Sequence, residues 1–491
     1  MSICFYLNRE QQPRQLTAAG DTTVLQYLRE NGLVGSKEGC ASGDCGACTA
    51  VLAEVTSAGK LHYTPINTCI AFMSAVQHKL LISVEGLATN GTLHPVQNAM
   101  VDAHGSQCGF CTPGFVMSLF ALYKKSPAPV TSTVVAESIA GNLCRCTGYR
   151  PIIQAGLALC ASKNDNDFYA VEEQTIVARL QQLAQMDTPL TKHTQVKNDL
   201  YIANTVNELI DLKQQHPQAV LVAGATDLAL QVTLNEHPLP IKIDISRVAE
   251  YRTIIEYDDH WAIGAAVTVA EWMEYFADIF PNLSPYLHRF GSVPIRQRAT
   301  LGGNIANASP IADCPLPLIA LGGEIILSTA EQERRLLLEE FYLNYKETVL
   351  ATDEWISTII LPKPTAPFIF KTFKVSKRIE DDISTVAAAF YWQLEDDKTI
   401  LQTRLVYGGM AATPIRARRA EQHLSKQTFN ESNIEAAAAT IAQELTPISD
   451  ARGSCHYRLQ VAAALLRRAY LETTQPLARI EAPIEEHSHA N

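Results

Sequence analysis

The stretch Gly39-Cys40-Ala41-Ser42-Gly43-Asp44-Cys45-Gly46-Ala47-Cys48 places three cysteines within nine residues. Their spacing is C-x4-C-x2-C, and Cys69 follows twenty-one residues after Cys48. Four thiolates with this spacing are typical of a plant-type [2Fe–2S] site. The three glycines allow positive φ angles and let backbone N–H groups point at sulfur. A structural zinc site is the alternative, but zinc prefers paired C-x2-C elements, which the C-x4-C spacing does not supply.

Composition limits the other possibilities. A chain of 491 residues is long enough for two to four domains, each with its own core. The formal net charge of −11 comes without a basic patch, so we expect no nucleic-acid partner. Twelve cysteines at metal-ligand spacings in a long chain indicate thiols in a reducing compartment. The start does not resemble a secretory signal and no run of eighteen apolar residues occurs, so we expect a cytoplasmic protein without a membrane span.

Residues 1–86 are expected to form the first domain. Ile3–Leu7 is apolar and favours a strand, and a second strand is expected at Cys48–Val55. Thr23–Glu30 has helical spacing, with Asp21 or Thr22 as the expected N-cap. This order resembles a plant-type ferredoxin domain, and the resemblance implies a β-grasp fold.

Residues 87–160 have a helical pattern. Apolar residues recur at helical spacing in three segments, which are His94–Ala103, Thr112–Lys125 and Val134–Ala140. Two cysteine pairs, Cys108-Gly-Phe-Cys111 and Cys144-Arg-Cys146, lie beside predicted helix ends, where free N–H groups favour thiolates. Four thiolates suffice for a second [2Fe–2S] cluster, although zinc is equally compatible with these pairs alone. The neighbouring first site favours iron–sulfur, and the sequence predicts a helical-bundle cluster domain.

Three segments carry a family resemblance: Gly39–Cys48, Gln107–Gly114 and Gly141–Arg150. They look like the iron–sulfur half of the xanthine oxidase family of molybdenum hydroxylases, over residues 1–160. The resemblance implies that Gln107 contacts a molybdopterin on another chain. It also implies two ligand sets, one nearer the molybdopterin and one nearer a flavin, which are Cys108, Cys111, Cys144 and Cys146, and Cys40, Cys45, Cys48 and Cys69 respectively.

Two polar segments are expected to lie outside the compact domains. Residues 161–195 lack strong periodicity beyond one short helical stretch, which indicates a linker with some helix. Residues 476–491 are rich in Glu and His, and we expect a disordered tail. The run Glu485-Glu-His-Ser-His489 within it could bind adventitious metal, but a frayed terminus is the simpler interpretation.

Residues 196–370 have a mixed α/β pattern with two small-residue turns. The apolar run Val220–Ala223 leads into Gly224-Ala225-Thr226-Asp227, and Gly302-Gly303 lies within Arg298–Asp313. Such turns let backbone N–H groups approach a pyrophosphate. Neither turn has the G-x-G-x-x-G pattern, so no Rossmann fold is predicted. Taken alone, each is equally an ordinary tight turn.

Together the two turns resemble the FAD-binding domain of molybdenum hydroxylases and vanillyl-alcohol oxidase-type flavoenzymes. The resemblance places Phe290 and Lys374 near the flavin and Ile356 against the adenine. The family turn usually carries Gly or Asn where Ala225 stands. Residues 371–475 look like a small α/β domain that closes over the flavin. The implied FAD contacts are Leu221, Val222, Ala223, Gly224, Ala225, Thr226, Asp227, Leu228, Phe290, Thr300, Leu301, Gly302, Gly303, Asn304, Asp313, Ile356 and Lys374.

Two further segments bear on the electron acceptor. Phe373–Ile383 resembles the charged loop that shields the flavin in this family, although without the resemblance the charges of Lys377–Asp382 favour a solvated loop. Tyr345 aligns with a tyrosine near the nicotinamide site. The resemblance therefore implies NAD as the acceptor.

The expected architecture is α+β and multidomain, and the resemblance makes the chain an oxidoreductase subunit. The resemblance places no catalytic residue on this chain and puts the molybdopterin on a partner in a heterodimer, dimerised to a heterotetramer. Electrons from hypoxanthine or xanthine, oxidised to urate, would pass through two clusters to FAD and NAD. One alternative is the small subunit of another molybdenum hydroxylase. Another is a free-standing reductase that uses NADH, and a non-enzymatic redox sensor would contain no FAD.

Overall fold

The computed structural model of the chain describes residues 3–16, 20–89, 91–126, 129–163, 166–186 and 200–475. Within these residues the chain forms four packed units, as the expected α+β multidomain architecture requires. In this described part, no helix is both long and apolar enough to cross a membrane. The predicted tail, 476–491, with its Glu and His run, lies outside the described residues.

The first unit, residues 3–86, is a mixed five-stranded sheet with one helix. Its elements are β1 (Ile3–Leu7), β2 (Arg14–Leu16), α1 (Val24–Glu30), β3 (Thr49–Val55), β4 (Leu61–Asn67) and β5 (Leu80–Ile82). The strand order is β2-β1-β5-β3-β4, and β1 runs parallel to β5. Tyr27 of α1 packs edge-on against Phe5 of β1. The Thr23 side chain, and neither Asp21 nor Thr22 as expected, accepts the N-cap hydrogen bond.

The second unit, residues 91–186, is a helical bundle. Its helices are α2 (Pro95–Asp102), α3 (Thr112–Lys125), α4 (Ser132–Ile139), α5 (Arg150–Ala161), α6 (Phe168–Val171) and α7 (Glu173–Gln185). The buried helix α3 passes through the centre and supplies Phe115 and Phe120 to the core. All three helices expected from the apolar spacing form, within two residues of their predicted ends.

Two helices occupy much of the expected linker 161–195. Ile176, Leu180 and Leu183 of α7 are buried in one core with residues of the first and second units. The Glu173 side chain accepts a hydrogen bond from the N–H of Leu61 at 3.0 Å. Some helix was expected in this segment, and α7 in addition packs into a core, because its weak apolar stripe finds its partners only in the folded chain.

The third unit, residues 200–362, combines a parallel three-stranded sheet with an antiparallel five-stranded sheet. The first half contains β6 (Leu200–Ile202), α8 (Val206–Gln215), β7 (Val220–Val222), α9 (Leu230–Thr233) and β8 (Lys242–Asp244). The sheet order there is β6-β8-β7, and both pairings are parallel.

The second half of this unit begins with a hairpin and a run of short helices, which are β9 (Ile254–Glu256), β10 (His260–Gly264), α10 (Val269–Tyr275), α11 (Leu283–His288), α12 (Val293–Arg296), α13 (Leu301–Ala306) and α14 (Pro315–Ala320). It ends with β11 (Glu324–Ser328), β12 (Glu333–Leu337), β13 (Tyr342–Asn344), β14 (Glu347–Thr348) and β15 (Trp355–Pro362). The five-stranded order is β12-β11-β15-β10-β9, and β13 and β14 form a separate hairpin.

The fourth unit, residues 368–475, packs three helices on a four-stranded antiparallel sheet. Its elements are β16 (Phe368–Val375), β17 (Val386–Leu394), β18 (Ile400–Gly408), β19 (Ile415–Arg416), α15 (Arg418–Leu424), α16 (Glu431–Glu444) and α17 (Cys455–Thr474). The two predicted helices, Ala436–Gln443 and His456–Tyr470, correspond to parts of α16 and α17.

A buried ion pair joins the third unit to the first. Lys242 on the central strand β8 is fully buried, and its Nζ lies 2.6 Å from an Asp21 carboxylate oxygen. The same ammonium donates to the backbone oxygens of Leu239 and Pro240. A buried charge is tolerated only when it is paired and hydrogen-bonded, so this contact restricts how the two units can sit.

A second buried charge cluster holds the start of α6 against α3 within the second unit. Lys124 Nζ lies 2.5 Å from one Asp167 carboxylate oxygen, and His94 Nε2 lies 3.7 Å from the other. Burial alone raises the pKa of Asp167, but the nearby His94 ring and the Lys124 ammonium outweigh this effect and lower the pKa to about 2. The ionised carboxylate therefore stabilises the fold above pH 4 or so, and this stabilisation is lost as pH falls towards 2.

We expect Lys124→Met to lower the free energy of unfolding by about 3–5 kcal/mol at neutral pH, because it leaves a buried carboxylate without its cation. The loss should shrink below about pH 4, where that carboxyl takes up a proton. Denaturant titrations followed by circular dichroism measure both effects. Lys125→Met, at the exposed neighbouring position, is the control and should change little. An equal loss in both variants would contradict the assignment.

Candidate functional site

The thiols of the first unit converge at the loop after α1. Cys48 Sγ lies 3.3 Å from Cys69 Sγ, and Cys40 Sγ accepts N–H groups of Ser42 and Cys45 at 3.4 and 3.3 Å. Hydrogen bonds from Cys45 and Cys69 lower the pKa of the Cys40 thiol and raise the pKa of the two donating thiols, so these three sulfurs lie close enough to share protons. N–H donors on sulfur and four adjacent thiols are the features that a [2Fe–2S] cluster requires.

The loop also leaves space that a side chain would fill. A Cβ at Gly39 would lie 2.8 Å from Cys45 Sγ. Gly43 has a φ of +84°, and a Cβ there would collide with Ile70. Among the described residues, no group of three or more His, Cys, Asp or Glu side chains is arranged to hold a single metal ion. The residues present fit a cluster, in which two irons share the four thiolates.

The thiols of the second unit lie at its surface. Cys108 and Cys146 are exposed, whereas Cys111 and Cys144 are partly buried. Burial raises the pKa of Cys144, but hydrogen bonds from the Thr147 hydroxyl and N–H outweigh it and lower this pKa to about 7. Gln107, expected to contact a pterin, is exposed beside this edge. Each thiol set therefore contains a sulfur that accepts hydrogen bonds, Cys40 in the first and Cys144 in the second, and the second set opens to the outside.

The two thiol loops are hydrogen-bonded to each other. The N–H of Leu143, next to Cys144, donates to the carbonyl oxygen of Cys45 at 2.9 Å. Buried Asn142 donates from Nδ2 to the Gly46 oxygen at 3.0 Å and accepts from the Ser118 hydroxyl at 2.6 Å. Sequence reasoning missed Asn142, although it lies inside the segment that carried the family resemblance. A polar residue between glycine and a ligand cysteine was the available signal.

A continuous apolar contact joins the first thiol loop to the turn after β7. We call it the cluster–turn seam, and its residues are Cys48, Cys69, Ile70, Val222, Ala225 and Ala229. All six are at most 8% exposed. The Thr233 hydroxyl of α9 also donates to the Ala41 oxygen in the thiol loop at 2.7 Å. The expected cluster ligands and the expected phosphate turn are therefore in direct contact.

The turn after β7 forms a tight cradle with the segment before α13. Ala225 has a φ of +62°, the left-handed region that glycine adopts without strain. A Cβ at Gly224 would collide with the Arg298 oxygen, and one at Gly302 would lie 2.7 Å from the Ala265 oxygen. The Thr300 side chain caps α13 by accepting from the N–H of Gly303. Close backbone approach of this kind fits a bound diphosphate.

A buried polar group lies on the flavin side of the expected site. Asp313 accepts from Lys374 Nζ at 2.8 Å and from the Ser384 hydroxyl at 2.6 Å. Lys374 also donates to the backbone oxygen of Arg289, next to Phe290. The structure thus brings Phe290, Asp313 and Lys374 together, while Ile356 is buried in the same core on β15. Sequence reasoning missed Ser384, whose partner is 71 residues away.

Arg289 holds the charged loop 373–383 through two hydrogen bonds. Arg289 Nε donates to the Ile379 oxygen at 3.0 Å, and another guanidinium nitrogen donates to the Ser376 hydroxyl at 2.8 Å. Burial, then repulsion from Asp44 and Cys40, raises the pKa of Asp381 to about 7. The loop therefore lies over the first thiol loop. Tyr345, expected near a nicotinamide, is 62% exposed on the β13–β14 hairpin and outside the buried core.

Four family models match the chain in this order. Residues 7–74 match a 2Fe-2S iron-sulfur cluster binding domain, and residues 83–157 match a [2Fe-2S] binding domain. Residues 194–364 match the FAD binding domain in molybdopterin dehydrogenase. Residues 371–473 match the CO dehydrogenase flavoprotein C-terminal domain. The expected cofactors, two [2Fe–2S] clusters and FAD, are thereby confirmed, and so is the order of the folds.

Two curated relatives align along nearly the whole chain. Xanthine dehydrogenase of Emericella nidulans is 30% identical, and xanthine dehydrogenase/oxidase of Rattus norvegicus is 29% identical. Both alignments cover 98% of this chain but only 39% of the relative. The chain therefore spans about two fifths of the length of these proteins.

Two solved structures have the same fold over part of the chain. Carbon monoxide dehydrogenase from Hydrogenophaga pseudoflava, in a form that lacks the Mo-pyranopterin moiety, matches with a TM-score of 0.52 and 25% identity. That match covers 56% of this chain and 96% of the other. Quinoline 2-oxidoreductase from Pseudomonas putida 86 matches with a TM-score of 0.52 and 24% identity, covering 57% and 97%. The second likeness concerns the fold alone.

Two thiol loops in contact with each other, the first of which also packs against a turn suited to a diphosphate, define an iron–sulfur flavoprotein, a class of oxidoreductase. Both cluster-domain matches and both flavoprotein matches occur in one chain and in a single order. The chain belongs to the iron–sulfur and FAD part of the xanthine oxidase family of molybdenum hydroxylases.

We expect Gly39→Ala to remove the first cluster, because its Cβ would lie 2.8 Å from Cys45 Sγ, in the space of the thiol loop. Electron paramagnetic resonance of the reduced protein measures each cluster separately. The second cluster serves as an internal control and should remain at full occupancy. Retention of both signals would contradict the placement of a cluster beside Gly39.

Neighbouring substitutions in the turn after β7 should have opposite effects. An alanine in the left-handed region costs about 1–2 kcal/mol of stability, and Ala225→Gly removes this cost. Glycine in turn loses roughly 0.5–1 kcal/mol through its larger backbone entropy in the unfolded chain. We expect retained FAD and a gain of up to about 1 kcal/mol in stability. Gly224→Ala collides with the Arg298 backbone and should lose FAD. Flavin absorbance after gel filtration and thermal unfolding measure the two outcomes; equal FAD loss in both would refute this view of the turn.

Proposed function

We propose that this chain is the electron-transfer subunit of an NAD-dependent xanthine dehydrogenase whose molybdopterin lies on a partner subunit. The observation that carries the proposal is the continuous order of sites. Exposed thiols at Cys108 and Cys146 lead, through the Leu143–Cys45 hydrogen bond, to the buried cluster–turn seam. The exposed thiol set can receive electrons from another protein, and the buried set can pass them to a cofactor inside this chain.

The proposal assigns the two cysteine sets as ligands of the two clusters. Cys108, Cys111, Cys144 and Cys146 would hold the cluster near the partner, and Cys40, Cys45, Cys48 and Cys69 the cluster near FAD. The backbone of residues 221–228 and 300–304 would hold the FAD diphosphate. When bound, clusters supply single-electron transfer and flavin supplies the two-electron exchange that NAD requires.

The chain's own residues position and shield these groups. Asn142 and Leu143 bind the first thiol loop to the second, which keeps the two ligand sets at a constant separation. The six seam residues exclude water between the first thiol loop and the flavin turn. Asp313 and Lys374 form a buried ion pair on the flavin side of the site. Arg289 holds the loop 373–383 in place by a hydrogen bond to the Ile379 oxygen.

The relatives support the substrate and the partner. Both are named for xanthine, and each continues well beyond the two fifths of its length that this chain matches. We propose that a partner supplies the corresponding molybdopterin function, in a heterodimer that pairs into a heterotetramer. NAD rests on the resemblance of loop 373–383, and a cytoplasmic location rests on cysteine usage.

A second candidate is the corresponding subunit of a different molybdenum hydroxylase. The matches to a CO dehydrogenase flavoprotein domain and to the carbon monoxide dehydrogenase structure favour it. A free-standing flavin reductase that uses NADH is a third candidate and needs no molybdenum partner.

Anaerobic addition of xanthine to the protein, purified with its copurifying partners, tests the proposal. We expect the flavin and iron–sulfur absorbance to bleach and NAD to reverse the change. Molybdenum analysis of the same sample should find the partner. Bleaching by NADH but not by xanthine would refute the purine substrate, and carbon monoxide added in a parallel cuvette tests the second candidate.

Cys146→Ser should distinguish flavin reduction by xanthine from flavin reduction by NADH. We expect xanthine to stop reducing the flavin, because the exposed ligand set is broken, while NADH still reduces it. Cys455→Ser, at an exposed cysteine outside both sets, is the matched control and should change neither rate. Xanthine-driven flavin reduction at the wild-type rate in Cys146→Ser would contradict the proposed path.

A further inference from the structure

Two side chains at the ends of loop 373–383 bind one carboxylate. Lys374, near the start of the loop, donates to one oxygen of Asp313 at 2.8 Å. Ser384, directly after the end of the loop, donates to the other oxygen at 2.6 Å. Asp313 belongs to the third unit and the loop belongs to the fourth. This carboxylate therefore ties both ends of the loop to the neighbouring unit.

Arg458 of helix α17 reaches the same region from the fourth unit. Its side chain is buried, with only 2% exposed. One terminal guanidinium nitrogen donates to the backbone oxygen of Thr385 and to that of Gly409, the latter at 3.0 Å. Because Thr385 directly follows Ser384, this nitrogen fixes the backbone that carries the Ser384 hydroxyl.

Gly409 connects the same guanidinium to the backbone that carries Asp313. The N–H of Gly409 donates to the Pro310 oxygen at 2.9 Å, three residues before Asp313. Gly409 has a φ of +75°, and a Cβ there would lie 3.0 Å from an Arg458 guanidinium nitrogen. Glycine at this position therefore leaves room for the guanidinium. Arg458 thus holds the backbone on both sides of the Ser384–Asp313 hydrogen bond.

An ionised carboxylate compensates the buried charge of Arg458. The second terminal nitrogen of its guanidinium lies 2.7 Å from an Asp450 oxygen. Burial alone raises the pKa of Asp450, but hydrogen bonds from the Arg452 N–H, the Arg458 guanidinium and the Gly453 N–H outweigh it and lower this pKa to about 2. Arg458 is therefore a paired cation at neutral pH, and its hydrogen bonds to carbonyl oxygens are charge-assisted and strong.

We propose that Arg458 is a positioning residue of the flavin site and acts on it through Ser384 and Asp313. The proposal rests on the proposed function, which places Asp313 and Lys374 beside the flavin. A binding site keeps its geometry when neighbouring hydrogen bonds lock the residues that touch the ligand. Arg458 fixes the backbone of Ser384, and the Ser384 hydroxyl holds Asp313 in the orientation that also binds Lys374. Loss of the guanidinium releases the ends of loop 373–383 without changing any residue that contacts the flavin.

A merely structural role for Arg458 predicts a different result. In that case, removal of the guanidinium lowers the unfolding temperature but leaves loop 373–383 and the affinity for FAD as in the wild type. In the positioning role, Arg458 and Ser384 act on the same carboxylate. The effects of removing them therefore do not add, as is general for residues within one hydrogen-bond network.

Limited trypsin digestion of the full chain, with its copurifying partners and excess FAD, tests the position of the loop directly. Lys377 and Arg378 are exposed within it, and mass spectrometry measures cleavage after each. Flavin fluorescence after dilution measures the dissociation constant of FAD. We expect Arg458→Met to raise the cleavage rate and the dissociation constant each about tenfold, since it removes hydrogen bonds from a charged donor. Arg467→Met, on the same helix and paired at the surface with Glu435, is the control and should change neither.

Ser384→Ala removes a single hydroxyl and should raise both quantities in the same direction. The double variant should resemble Arg458→Met alone, because both changes act on one carboxylate. If Arg458→Met does not fold, Arg458→Lys decides, since lysine keeps the charge but lacks the fixed fork of donors. We expect Arg458→Lys to increase cleavage after Lys377 and Arg378 as well.

Three results would overturn the proposal. They are unchanged cleavage and FAD affinity in Ser384→Ala, a lower unfolding temperature in Arg458→Met with an unchanged loop, and additive effects in the double variant. None of these measurements uses xanthine. A protein that binds FAD but is not bleached by xanthine loses the proposed substrate only, which keeps that failure distinct from a failure of the role of Arg458.

Discussion

The contact between the first thiol loop and the turn after β7 is the constraint on which the other units depend. Cys48 and Cys69 lie with Val222 and Ala225 in one buried apolar cluster, so this surface excludes water. An apolar seam alone would allow sliding, since hydrophobic contacts are not directional. The buried pair Lys242–Asp21 supplies the missing direction, because separating those charges would leave an ammonium in the core.

The loops that approach one another use glycine where backbone must touch backbone. A Cβ at Gly46 would collide with the Gly141 oxygen, and one at Gly224 with the Arg298 oxygen. Gly46 lies within the first thiol loop where it meets the second thiol set, and Gly224 lies within the flavin turn. The close packing of these loops therefore requires glycines, which contribute no buried side chain.

Local patterns in the sequence predicted much of this architecture. Helix α3 forms over the predicted range Thr112–Lys125, since its apolar spacing and flanking residues act within one turn. The sequence indicated only some helix within 161–195 and did not show that Leu180 and Leu183 of α7 pack in a core with the first and second units. Asp21 was expected as a helix cap, but its carboxylate pairs with Lys242, more than two hundred residues away. Long-range pairings of this kind leave no periodic signal.

The sequence by itself determined which residues form the thiol sets and the small-residue turns, because ligand type, spacing and glycine placement are local properties. It also determined the order of the four units. Only the tertiary structure decided that Leu143 bonds to Cys45 and that Ser384 orients Asp313. Those relations depend on how separately folded units pack, and packing is set by shape and buried charge distributed over the whole chain.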